Sequence, residues 1–146
     1  MCDVLIIGCG NRQRGDDAAG ITAAERLRAH GIAVEVCAGE FSELMELWSG
    51  VSDVIVIDCI TTGAPAGTVQ VWDALHLPRI SNVSGSTHGF GVGEAIGMGR
   101  ALGSLPQRLL IYGIEGKNFE VGSQISSEVE KAIEEVVDRI ARNVKA

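Results

Sequence analysis

The chain has 146 residues, of which 46% are hydrophobic and only 4% aromatic, and this suits one domain whose core is filled by Val, Ile, Leu and Ala. A net charge of −7 excludes the basic face of a nucleic-acid binder and disfavours docking on an anionic membrane. No apolar run approaches the roughly 20 residues of a membrane span, and "MCDVLIIGCG" enters a strand pattern with no basic lead-in, so the expectation is a cytoplasmic protein without a secretory signal.

In chain order, "VLII" (4–7) reads as a buried strand. "DDAAGITAAERLRAH" (16–30) reads as a helix, with Asp16 or Asp17 as its N-cap and Gly31 as its stop. "VEVC" (34–37) is a second strand, and "SELMELWS" (42–49) a short helix capped by Ser42. "DVIVID" (53–58) is apolar on both faces, which predicts a central parallel strand ending on Asp58. "GTVQVWD" (67–73) alternates, as a half-exposed edge strand does. "GFGVGEAIGMGRALG" (89–103) is a glycine-rich helix able to lie close to neighbouring backbone. "RLLIYGI" (108–114) is the last strand. A strongly amphipathic helix over 127–144 follows, capped by Ser126 or Ser127.

Alternating strands and helices imply a single-domain α/β fold. The expected architecture is a mostly parallel twisted sheet of about five strands, helices on both faces, and one antiparallel edge strand. Ligands of such sheets bind beyond the carboxyl ends of the strands. The segments that leave those ends are therefore where chemistry is expected: Gly8–Asp17, Ala38–Phe41, Asp58–Gly63, Glu115–Asn118 and the link carrying His88.

The opening loop imitates a dinucleotide fingerprint and fails it. Gly8, Gly10 and Gly15 do not have G-x-G-x-x-G spacing, because Gln13 stands at the third position. The helix start that would attract phosphate already carries Asp16 and Asp17. One carboxylate is enough for a cap, so the second is expected to project over the strand ends. Asp58 follows four apolar residues, and a carboxylate there needs water, a donor or a cation. His88, among small residues, can reach the same rim. Two carboxylates and an imidazole suit a borderline divalent cation such as nickel or zinc, held with open positions. Cys2, Cys9, Cys37 and Cys59 show no C-x-x-C spacing and are expected to be reduced thiols packed as small hydrophobes. Glu115 is expected to cap a turn rather than line a groove.

These stretches together resemble the maturation endopeptidases of nickel–iron hydrogenases. The likeness is carried by "GCGNRQRGDDAAG" (8–20), "VIVIDCI" (54–60), "STHGFGVGEAI" (86–96) and "YGIEGKNFEVGSQIS" (112–126), which follow the family's order over nearly the whole chain. The resemblance implies that Asp17, Asp58 and His88 are metal-contacting positions, with Asp17 and Asp58 as catalytic candidates. It implies an endopeptidase that removes a C-terminal extension from the precursor of a hydrogenase large subunit. Nickel would be presented by that substrate, with zinc or cadmium able to substitute. Apart from the resemblance, a monomer is expected: low charge on the glycine-rich helix would permit a dimer, but nothing demands one. Two departures stand out. Asp17 occupies a position where relatives often have glutamate, and "AGEFSE" (38–43) replaces a common glycine–glycine–threonine turn. The basic "RQR" (12–14) would be free to touch an acidic patch on a partner.

Two other readings share parts of this pattern. A phosphoacceptor receiver module has similar length and an aspartate after its third strand. Its acidic pair, however, directly follows the first strand, whereas here the eight residues "GCGNRQRG" intervene. A nickel-binding maturation chaperone would use the same triad without cleaving a peptide.

Overall fold

The computed structural model describes residues 4–75 and 92–144. His76, His88 and Cys2 lie outside the described residues. The elements are β1 (Val4–Cys9), a 3₁₀ turn (Gly15–Ala18), α1 (Ala19–Arg28), β2 (Ala33–Cys37), α2 (Phe41–Trp48), β3 (Asp53–Ile60), β4 (Val69–Asp73), α3 (Val92–Leu102), β5 (Arg108–Glu115) and α4 (Ser127–Val144).

The five strands form one sheet in the order β2-β1-β3-β5-β4. β1, β2, β3 and β5 are mutually parallel, and β4 runs antiparallel to β5 at the edge. The expected α/β architecture and its antiparallel edge are both present. The central strands are apolar on both faces because helices cover both. On one face α1 and α4 bring Ala23, Ala24, Leu27, Ile133, Val136 and Ile140 against Ile6, Ile55, Ile57 and Ile114. On the other, Leu44, Trp48 and Ile96 pack on Ile7, Val54, Val56 and Ile111. Edge strands β2 and β4 alternate in exposure, as the sequence pattern requires. Among the described residues no helix is long and apolar enough to cross a membrane.

Three local expectations change. The helix expected over 16–30 is a 3₁₀ turn followed by α1, and neither aspartate caps it: Arg14 and Ala18 occupy the cap positions without a side-chain bond. α2 begins at Phe41 behind Glu40, so Ser42 lies inside the helix and does not cap it. β3 continues past Asp58 to Ile60, because β5 offers it pairing partners as far as Glu115.

The order of strands places a switch point at the carboxyl ends of β1 and β3. From β1 the chain moves outward to β2, then returns to the far side of β1 as β3. Connections diverge there and leave a crevice, where open α/β sheets bind ligands.

Candidate active site

The loop after β1 is built to bring backbone close to backbone. Gly20, near the start of α1, lies over the seam between β1 and β3. A Cβ on it would fall 2.2 Å from the Ile57 carbonyl oxygen and 2.5 Å from that of Cys9. The helix therefore begins directly on the crevice. Gly10 has φ +142°, and a Cβ there would overlap the Asp17 carbonyl oxygen at 1.9 Å. Asn11 N–H donates to that same oxygen at 3.1 Å. The loop thus turns back on itself and holds Asp17 above the strand ends.

The two adjacent aspartates divide their work. Asp16 is completely buried. Its carboxylate accepts from Lys117 N–H at 2.9 Å, Asn118 N–H at 3.0 Å and Ser126 N–H at 2.7 Å, and from the Ser126 hydroxyl at 3.0–3.1 Å. Asp16 N–H also donates to the Asn118 carbonyl at 2.8 Å. Asp16 therefore ties the loop after β1 to the loop between β5 and α4. Asp17 is 7% exposed, the more accessible of the pair.

Asp58 is 3% exposed, lies opposite Gly113 in β5, and accepts from Cys59 N–H at 2.9 Å through Oδ1. Strand alternation turns it to the same side as Val54 and Val56. The neighbouring Cys59 thiol is completely buried on the opposite face. Burial, and then the negative charges of Asp58, Asp17, Asp16 and Glu115, push its ionisation far above the ordinary thiol range. Asp17 lies in the 3₁₀ turn that follows β1 and Asp58 near the end of β3, two of the three candidate positions. The third, His88, lies outside the described residues. Among the described residues no three His, Cys, Asp or Glu side chains form a metal-binding group.

Glu115 is buried and accepts from Thr62 N–H at 2.8 Å, the Thr62 hydroxyl at 2.7 Å and Gly63 N–H at 3.2 Å. It fixes the turn after β3, the structural role expected of it. The arginines of "RQR" also have partners within the chain. Arg12 makes a two-pronged contact with Glu25 at 2.8 and 2.5 Å, and Arg14 Nε donates to the Phe119 carbonyl at 3.1 Å.

Sequence reading also missed a pairing between thiols. Cys9 and Cys37 are the last residues of β1 and β2 and stand directly opposite one another in the parallel register. Their sulfurs lie 3.8 Å apart. Both end a strand, and recognising β1 and β2 as neighbours would have been enough to suggest the contact.

The hydrogenase maturation protease family model matches residues 37–143, well over half of the chain. The chain belongs to the hydrogenase maturation protease family. A relative from Methanocaldococcus jannaschii is 26% identical, with 98% of this chain and 97% of the relative aligned. The hydrogenase 2 maturation protease of Escherichia coli is 24% identical over 94% of this chain and 87% of its own. The structure of the [NiFe] hydrogenase maturation protease HybD from Thermococcus kodakarensis superposes with a TM-score of 0.72 at 23% identity, covering 99% of each chain. This chain is therefore a protease of hydrogenase maturation. The family assignment removes the non-cleaving chaperone. The sheet order removes the receiver module, whose flavodoxin-like order 2-1-3-4-5 differs from the one found here.

Proposed function

We propose that this maturation protease recognises its precursor through nickel already installed in the large subunit, and then removes a C-terminal extension. Asp17, Asp58 and His88 are the residues assigned to that contact. The supporting observation is the placement of Asp17 in the turn that follows β1 and of Asp58 near the end of the neighbouring strand β3, while Asp16 carries the structural load beside Asp17. Two anionic oxygens and one imidazole complete the shell of a substrate-borne divalent ion without holding it permanently. Zinc or cadmium would fill the same contact. A precursor without the ion lacks the charge that anchors it and binds more weakly.

The chemistry proposed is hydrolysis of one peptide bond. The ion borne by the substrate polarises the scissile carbonyl or the attacking water. Asp17 or Asp58 accepts the proton that the water loses, and the amine leaves protonated as the C–N bond breaks. Cys59 is excluded as a nucleophile, since burial and the surrounding carboxylates hold it as a thiol.

The experiment is precursor cleavage by Asp17→Asn and Asp58→Asn. Each replacement keeps the side chain's size and removes its charge. Each is expected to slow cleavage of a nickel-loaded precursor by about 100-fold or more, the usual worth of a general base or metal contact. Normal rates in both variants would overturn the assignment.

A further inference from the structure

We propose that Cys9 and Cys37 form a redox-active dithiol, which small disulfides such as oxidised glutathione convert to an intramolecular bridge between the ends of β1 and β2. The proposal stands on geometry. The two residues are register partners on adjacent parallel strands. Such partners have Cα atoms about 4.8 Å apart, inside the range that a disulfide spans. Their sulfurs already face each other at 3.8 Å. Each cysteine is the terminal residue of its strand, with Gly10 next after Cys9 and Gly39 two residues after Cys37, both at positive φ, and Gly10 N–H donates to the Cys37 carbonyl at 3.1 Å, which holds the two strand ends together. Among the described residues β2 is also an edge strand, beside β1.

The environment assigns the two thiols different parts. Cys37 is 8% exposed and Cys9 only 1%, so an oxidant meets Cys37 first. Either sulfur can donate in the contact between them, and this contact, with a hydrogen bond from the Gly39 backbone, favours ionisation at the more exposed Cys37. Cys9 is raised by the same hydrogen bond, by burial and by the nearby charges of Asp58 and Glu43. Cys37 is therefore the attacking thiolate and Cys9 the resolving thiol.

The Cys37 thiolate attacks one sulfur of the small disulfide. That S–S bond breaks, a mixed disulfide forms on Cys37, and one small thiolate leaves. The leaving thiolate takes up the Cys9 proton. The Cys9 thiolate then attacks Cys37 sulfur, the mixed disulfide breaks, and the second small thiolate leaves and takes up the proton that Cys37 gave to solvent on ionising. Two protein thiols are oxidised, and one small disulfide is reduced to two thiols. Cys59 takes no part, because it is buried on the opposite face of the sheet.

The test uses the full chain carrying Cys2→Ser, incubated with oxidised glutathione and read by intact mass and peptide mapping. The expected product has lost two hydrogens, retains no glutathione, and yields a cross-linked peptide pair containing Cys9 and Cys37. Cys9→Ser is expected to trap glutathione on Cys37. Cys37→Ser is expected to leave Cys9 modified about tenfold more slowly or worse. Should either variant fail to fold, the map of the parent protein decides alone. A stable glutathione adduct on Cys37 while Cys9 is present, a bridge that includes Cys59, or two thiols unchanged by the oxidant would each overturn the proposal. None of these outcomes bears on peptide cleavage, so the two assignments stand or fall separately.

Discussion

Asp16 and Asp17 are chemically identical and adjacent, yet the structure uses them for different purposes. Asp16 accepts three backbone N–H groups and a hydroxyl from residues 117, 118 and 126. Replacing it by alanine would leave those donors buried without an acceptor. Hydrogen bonds to a charged group contribute about 1.5–3 kcal/mol each, so Asp16→Ala should lower stability in urea unfolding by about 3 kcal/mol or more. Asp17→Asn should cost less stability than that and remove cleavage of the precursor. The reverse order, with Asp17 dominating stability and Asp16 dispensable for it, would contradict the division of labour. The sequence could mark both carboxylates but could not separate them. The partners of Asp16 are 101 to 110 residues away, and helix-start chemistry alone favours either residue as a cap. Glu115 marked itself as an acid leaving a strand that needs turn donors, but the donors, Thr62 and Gly63, lie 53 and 52 residues away in the turn after β3.

At the scale of elements, the seat of α1 on β1 and β3 decides where the site lies. Gly20 permits that seat, and Gly20→Ala pushes a methyl group into two strand carbonyls. Overpacking of this kind costs about 1–3 kcal/mol, which should appear as a lowered thermal midpoint. Gly97 in α3 is the contrasting case, because a Cβ there meets nothing within 4 Å. Gly97→Ala should therefore raise stability by about 0.5–1 kcal/mol in the same measurement. The loop before α1 is fastened to the helix by Arg12 and Glu25, and hydrogen bonding to Arg12 holds the Glu25 carboxyl below its ordinary range. A lowered carboxyl pKa contributes stability above the unfolded value and loses it as pH falls through the folded value. The stability gap between the parent and Glu25→Gln should thus be present at neutral pH and close on acidification through the carboxylate range. A gap that persists in acid would show that the pair acts through packing instead. The amphipathic stripe over 127–144 was legible without coordinates, because Val129, Ile133, Val136 and Ile140 repeat at helical spacing. The end of β3 was not, because its last two residues are set by pairing with Ile114 and Glu115 of β5.

Over the whole molecule, strand order brings the turn that carries Asp17 against β3, the strand that carries Asp58 41 positions later. Alternating patterns told which segments are strands and which strand is an edge. They did not state that β5 enters between β3 and β4, since insertion of a late strand beside an early one leaves no local signature. That insertion makes β4 antiparallel and separates this sheet from a receiver's. Incubation with a phosphodonor and magnesium should accordingly leave Asp58 without a phosphoryl group, as read by mass. The claim on which the functional account turns is that a substrate-borne ion, gripped at this rim, licenses cleavage. The most direct measurement is mass spectrometry of the large-subunit precursor after incubation with the full chain, with the nickel-loaded and nickel-free forms side by side. The account predicts loss of a C-terminal peptide from the loaded form alone, whereas equal cleavage of both forms, or an intact loaded precursor, would contradict it.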